Sequence, residues 1–388
     1  MSLWWARREN LDKDQVALIE DLPLGEHHVV LGPPGSGKTN VLLRRAQYVR
    51  SQGLPNVLVL SFTRSLTEFI KTGCFDSQGR EIFPQSCVST LESWIRGLYT
   101  QHGESLPAAK ATLSEWKRSL ATEALGFAPK AKLPRYDALF IDEAQDLLSE
   151  EVELLSRWGN TLFLVGDIRQ KIYNKSSGID AIGALVRPPN ILSLSFHYRL
   201  APEVCRMADR ILVPQGGQSL ESTCQYNGPR PGRIGIHGPL SKGDTIAAIV
   251  HSLRDQMRAY ADLIAQGDLL GVIVARKEDR EFVFSQLEND SELAGKSQIV
   301  RAREASDDDH DPALGKDTPI CILTVQGCKG LEFRAVHWPF CEELHYHYDS
   351  EHYYTVVTRA KTSLDLYYVN QLPQKLALAY APPVQKLW

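Results

Sequence analysis

The chain of 388 residues is 43% hydrophobic and 23% charged, the balance of a globular protein with a sizeable core and room for two domains of roughly 150–200 residues each. A net charge of −4 and a pI near 6.3 exclude a uniformly basic surface, so any nucleic-acid contact is confined to a local groove. The seven dispersed cysteines include no CxxC pair, no run reaches the roughly 18 apolar residues of a membrane helix, and "MSLWWARREN" lacks a leader's apolar core, so a reducing, cytoplasmic setting is expected.

Short apolar runs alternate with longer amphipathic ones, the pattern of parallel strands joined by crossover helices. "HHVVLG" reads as a strand ending at the Gly-rich "LGPPGSGKTN". Behind it Leu42, Ala46 and Val49 fall at helical spacing, with Gly53 as the stop. "NVLVLS", "DALFID" and "TLFLVGD" are continuous apolar runs, as strands buried on both faces require. The last two end in Asp142 and Asp167, and in open α/β sheets ligands sit at the carboxyl ends of strands. Pro188 and Pro189 break the preceding helix, and a new strand near Ile191 opens the second half. There "GRIGIH", a helical stretch from about Thr245 to Ile264, "LLGVIVAR", "PICILTV", "AVHWPF" and "SLDLYYV" repeat the alternating style. The acidic segment Glu304 to Asp311 reads as a solvated loop. His345, His347 and His352, interleaved with tyrosines, fit no strong metal-ligand spacing, and Trp4 and Trp5 read as packing residues. The expected fold is α/β, with two tandem domains over residues 1–190 and 191–388, each on a parallel sheet.

Gly32, Gly37, Lys38 and Thr39 fit GxxxxGK[ST], between a strand and a helix as the chemistry demands. Small residues such as Gly35 and Gly37 let backbone N–H groups turn inward around phosphate, and the helix N-terminus adds partial positive charge. Lys38 is expected to reach the β- and γ-phosphates of ATP, and Thr39 to hold Mg²⁺ through its hydroxyl. In "LFIDEAQD", Asp142 can coordinate Mg²⁺ and Glu143 can polarise the attacking water; a helix N-cap is the plain alternative for Asp142. The second carboxylate favours hydrolysis over phosphoryl transfer to a small acceptor.

From "DEAQD" onward the sequence resembles the UvrD/Rep group of superfamily 1 helicases, in seven motifs that follow the family's order. The resemblance implies two RecA-like P-loop NTPase domains with ATP at the interdomain cleft. "ENLDKDQ" is similar to the family's glutamine motif, which implies that Gln15 reads the adenine edge. "VLSFTRS" and "VSTLESW" resemble the segments that touch single-stranded DNA, implicating Phe62, Thr63 and Thr90. "VGDIRQKIY" resembles GDxxQxIY, which implies Gln170 as a γ-phosphate sensor and Tyr173 on the DNA side. "FHYR" resembles NYR, giving Tyr198 as an adenine-stacking ring and Arg199 as a γ-phosphate contact. "TVQGCKGLEF" resembles TxHxxKGLEF, with Thr324 on the DNA side and Glu332 near the ribose. "VVTRAK" carries the TRA motif, making Arg359 the second γ-phosphate arginine.

The departures bear on function. Only 102 residues lie between Thr39 and Asp142, and 125 between Tyr198 and Thr324, so the family's two large insertions are nearly absent. The first is reduced to a small helical piece around Pro107 to Phe127, within a span near 100–130. Lys175 stands where relatives stack an aromatic ring on a base, Gln326 replaces a histidine, His197 replaces an asparagine, and Asn40 replaces an arginine found in some relatives. Loss of a stacked base weakens a stepping grip, while a lysine still holds phosphate. Two expectations follow. One is an ATP-driven translocase or helicase on single-stranded DNA, 3′ to 5′ by resemblance. The other is a nucleic-acid-sensing ATPase switch that regulates a partner nuclease or effector, as in Gabija-type anti-phage systems. A nucleotide kinase or transporter has no use for the DEAQD, GDxxQ and TRA elements.

Overall fold

The computed structural model describes residues 5–76, 78–108, 110, 112–127, 135–167, 178–213, 218–229, 231–301, 317–344 and 350–380. Trp4, the acidic segment 304–311, His345 and His347 lie outside them. The chain forms two compact units that divide between Leu194 and Ser195.

The first unit runs α1 (Lys13–Glu20), β1 (His28–Leu31), α2 (Lys38–Ser51), β2 (Val57–Ser61), α3 (Arg64–Thr72), β3 (Val88–Thr90), α4 (Leu91–His102), α5 (Leu113–Ala124), β4 (Tyr136–Ile141), α6 (Ser149–Trp158), β5 (Gly159–Gly166), α7 (Gly178–Leu185) and β6 (Ile191–Ser193). Its six strands are all parallel, in the order β3-β2-β4-β5-β1-β6. Alternation within each apolar run explains the two-sided burial. On β4, Leu139 and Ile141 join the core under α4, α5 and α6, while Ala138 and Phe140 join the core under α1, α2 and α3. Full burial of each such leucine or isoleucine contributes about 1.5–3 kcal/mol.

The "ILS" strand belongs to this first sheet, because Val29, Val30 and Leu31 pair with Ile191, Leu192 and Ser193. The division therefore falls after this strand, whereas the proline pair alone places it before.

The second unit runs α8 (Pro202–Ile211), β7 (Arg233–His237), α9 (Lys242–Ala259), α10 (Ala261–Ala265), β8 (Leu270–Val274), α11 (Lys277–Glu288), β9 (Ser297–Ile299), β10 (Ile320–Thr324), β11 (Phe333–Trp338), α12 (Ser350–Val357), β12 (Ala360–Tyr367) and α13 (Gln374–Tyr380). Its strands are also all parallel, in the order β7-β12-β11-β8-β10-β9. The long helix expected to Ile264 is interrupted at Tyr260, where α9 gives way to α10. Cys321 and Leu323 face the core with α8, α12 and α13, and Ile320 and Ile322 face the core with α9 and α11. The architecture is the expected one: two α/β units, each on six parallel strands.

Candidate functional site

The phosphate loop is set by β1 and by two glycines. The Gly32 amide donates to the Gly166 carbonyl at 3.1 Å, which ties the loop's start to the end of β5. Gly35 (φ 76°) and Gly37 (φ 83°) occupy the left-handed region, and Gly37 is the N-cap from which α2 departs. The Lys38 ammonium folds over the loop and donates to the Gly32 and Pro33 carbonyls at 2.8 and 2.9 Å. From α1, the buried Gln15 amide donates to the Ser36 carbonyl at 2.9 Å, and Gln15 is also the third residue of a capping box with Asp12.

The end of β4 supplies the carboxylates. Thr39 donates its hydroxyl to Asp142 Oδ2 at 2.7 Å, so the second residue of α2 meets the one that follows β4. Asp142 is 2% exposed, and burial together with the adjacent Glu143 raises its carboxyl to about 6, against the pull of Thr39, the Glu143 amide and Lys38. A hydroxyl beside a buried carboxylate is the hard-oxygen donor set that suits Mg²⁺. The N-cap alternative does not describe Asp142, whose Oδ1 accepts only the next amide, from Glu143 at 2.8 Å. Glu143 itself has φ 52°, a conformation that costs a non-glycine residue about 1–2 kcal/mol and is typical of functional turns.

Gln145 is a participant that the sequence reading left without a role. Its amide nitrogen donates to Glu143 Oε2, while its Oε1 accepts from the Asp167 amide at 3.0 Å. One side chain thus orients Glu143 and links the ends of β4 and β5. Gln170, Tyr173 and Lys175 lie outside the described residues.

The residues expected to face DNA follow the neighbouring strands. Phe62 and Thr63 follow β2, Thr90 ends β3, and β2 lies between β3 and β4 in the sheet. Both threonines cap helices. Thr63 Oγ1 accepts from the Leu66 amide at 3.2 Å, and Thr90 Oγ1 accepts from the Ser93 amide at 3.0 Å. All these side chains, with Lys38 and Asp142, stand at the carboxyl ends of one parallel sheet.

In the second unit the polarity is reversed. Asp268, Glu332 and Arg359 precede β8, β11 and β12, so they gather at the amino ends of those strands, while Thr324 closes β10 at the carboxyl end. Arg199 forms an ion pair with Glu332, and Lys361 reaches Glu332 at 3.4 Å and Asp268 at 2.8 Å. Arg334 also holds Asp268, at 2.7 Å. Burial pushes the Lys361 ammonium down to about 7; Asp268 opposes that shift, and Arg334 and Arg199 reinforce it. Arg359, 3% exposed, donates to the Thr355 and Leu331 carbonyls at 3.1 and 3.0 Å. Tyr198 and Arg199 are partly buried, and His197 before them is fully buried. Thr324 Oγ1 accepts from the Gly327 amide at 3.3 Å.

The fold also gathers His197, Cys205 and Cys224, which no sequence spacing linked, with their ligand-type atoms within 4.8 Å of one another. His197 Nε2 lies 2.7 Å from the Leu220 carbonyl and 3.7 Å from Cys205 Sγ. Among the described residues no fourth His, Cys, Asp or Glu joins them, and the contacts are those of a hydrogen-bonded core.

Comparison with known proteins gives the following. No curated protein matches the sequence. A solved structure, that of PRRSV helicase, is similar over 93% of this chain at 13% identity, with a TM-score of 0.43. The chain covers 55% of that protein, about half its length. Among the described residues, no helix is long and apolar enough to cross a membrane. Residues 17–176, which carry the phosphate loop, the Asp142–Glu143 pair and the strands between them, match the family described as an AAA domain.

Proposed function

We propose that this protein is an ATP-driven nucleic-acid motor of the superfamily 1 kind, which hydrolyses ATP while holding single-stranded DNA. The observation that carries the proposal is the first unit's sheet. Thr39, Asp142 and Glu143 meet at the ends of β1 and β4, and Phe62, Thr63 and Thr90 follow the adjacent β2 and β3.

In this reading Lys38 exchanges the Gly32 and Pro33 carbonyls for phosphate oxygens, and inward-facing loop amides share the charge. Thr39 and Asp142 hold Mg²⁺, which when bound neutralises charge on the β- and γ-phosphates. Glu143 accepts a proton from the attacking water, with its carboxylate held by Gln145. Gln15 reads adenine, and Tyr198 stacks on it. Arg199 and Arg359 act on the γ-phosphate, and Arg199 must first leave Glu332. Gln170 senses the γ-phosphate, and Tyr173 and Thr324 contact DNA.

A second reading is an ATPase switch that senses nucleic acid and controls a partner nuclease in anti-phage defence. One observation favours it. The described insertion is a single 12-residue helix, α5, packed down on α4 and α6 by Leu120 and Ala124. Among the described residues it offers no separate subdomain to split a duplex.

ATP turnover and strand separation, measured together on a 3′-tailed duplex, test the two. Unwinding by the purified chain supports the motor. DNA-stimulated turnover without unwinding, plus stoichiometric co-purification with a nuclease, supports the switch. Turnover indifferent to every nucleic acid refutes both.

A further inference from the structure

We propose that α5 completes a grip for single-stranded nucleic acid on the first unit, with Arg96 and Lys117 as phosphate contacts and the Phe62 and Trp116 rings as base-stacking faces. The proposal rests on the nucleic-acid reading above and extends it from Phe62, which a family motif contains, to Arg96, Trp116 and Lys117, which none contains.

Three elements converge. The Lys117 ammonium, from α5, lies 5.6 Å from the centroid of the Phe62 ring that follows β2. The Arg96 guanidinium, from α4, lies 4.9 Å from the centroid of the Trp116 ring on α5. Burial and, secondarily, the charge of Arg64 at the start of α3 push the Arg96 guanidinium below its ordinary value. Phe62, Arg64, Arg96, Trp116 and Lys117 are all partly exposed. Cations and rings thus interleave at one edge of the sheet.

Acidic groups nearby offset part of this charge. Glu92 pairs with Arg96 at 2.9 Å, and Glu151 is buried beneath, where it feels the charge of Lys117. The anchorage of α5 is apolar and does not run through Lys117. Leu120, Ala121 and Ala124 are buried, and the Tyr99 hydroxyl donates to the Leu120 carbonyl at 2.8 Å. Phe127 packs edge-on against Tyr99 at 4.9 Å and stacks on His102 at 5.1 Å.

A single strand is the occupant whose chemistry matches. Its phosphates complement spaced cations, and its bases complement flat rings of either kind without sequence choice. The cations now lie over those rings, so a phosphate that draws Lys117 and Arg96 outward uncovers the faces on which bases stack. Position adds to the case. Phe62 follows β2, the direct neighbour of β4, which Asp142 follows. A strand held here touches the same sheet edge as Asp142 and Glu143.

The test uses the full chain and fluorescence anisotropy of a labelled oligo(dT) across a salt series. Lys117→Ala and Arg96→Gln should each weaken binding and reduce the slope of log K against log[salt] by about 0.7, the share of one phosphate in single strands. Trp116→Ala should weaken binding about tenfold, with little change in slope. Lys117→Arg should restore the wild-type slope. Arg118→Ala, on the same helix but paired with Glu150 at 3.0 Å, should match the wild type. Thermal unfolding confirms that each variant is folded. If the wild type binds and Lys117→Ala and Arg96→Gln bind alike with unchanged slopes, the grip is overturned while the nucleic-acid reading stands. If the wild type binds no oligo(dT), the nucleic-acid reading fails and the grip with it.

Discussion

Gly37→Ala probes how the phosphate loop is built. Gly37 has φ 83°, and an alanine there costs about 1–2 kcal/mol from its left-handed backbone alone. The added Cβ would lie 2.6 Å from Gln15 Nε2, a distance that real Cβ contacts do not reach. Relief requires the Gln15 amide to leave the Ser36 carbonyl, which forfeits a hydrogen bond worth about 0.5–1.5 kcal/mol. The sum is about 1.5–3.5 kcal/mol, or about 3–14 °C in Tm for a unit of this size. Thermal unfolding of Gly37→Ala, Gln15→Ala and the double variant reads both contributions. Because Gln15→Ala removes the obstruction, the double variant should be more stable than additivity predicts by about 0.5–1.5 kcal/mol. Strict additivity would refute the argument that Gln15 braces this loop, and an unchanged Tm in Gly37→Ala would refute the backbone argument as well.

Glu143→Gln should lower ATP turnover by about 10²–10⁴-fold while ATP still binds, as read by single-turnover kinetics and equilibrium binding. Hydrolysis at the wild-type rate would move the base elsewhere. Arg359→Ala should lose both turnover and stability, because the guanidinium also holds the Thr355 and Leu331 carbonyls. Arg359→Lys should recover part of the stability but little of kcat, and recovery of both would remove the phosphate role. His337 is fully buried between the Tyr367 hydroxyl at 3.0 Å and Gln256 Oε1 at 2.9 Å, and burial lowers it to about 4 despite Asp365. With its folded value below the ordinary value of about 6.5, its contribution is complete above that pH and is lost as pH falls toward about 4. That loss amounts to about 3 kcal/mol, and urea unfolding at pH 7.5 and 4.5 should show it in the wild type but not in His337→Asn.

What the sequence disclosed and what it hid divide along a physical line. Strands buried on both faces must be apolar at every position, so "LVL" and "ALFI" announce themselves. The phosphate loop is equally local, since Gly35, Gly37, Lys38 and Thr39 lie within one turn of chain. Residues that act across the fold left no such signal. Gln145 sits inside the quoted DEAQD, yet its work is to join the ends of two strands through Glu143 and Asp167. Asp268 and Lys361 meet at 2.8 Å although 92 residues separate them, and nothing near Asp268 marks it. The "ILS" strand was visible as a strand, but a three-residue edge carries no information about which sheet it joins; only its pairing with β1 decides. Thr63 and Thr90 show the reverse case, in which a motif pointed to DNA and the structure adds a capping role to the same hydroxyls.

The central claim is that ATP and single-stranded nucleic acid are coupled through the first unit's sheet. Linkage makes this measurable at equilibrium, because a coupling factor between two ligands is the same in both directions. The direct measurement is oligo(dT) affinity of Glu143→Gln with and without ATP·Mg²⁺, beside its ATP affinity with and without oligo(dT). The account predicts that both affinities shift by the same factor, about 5–150-fold. Two tight but independent binding events, with neither ligand moving the other, would contradict it.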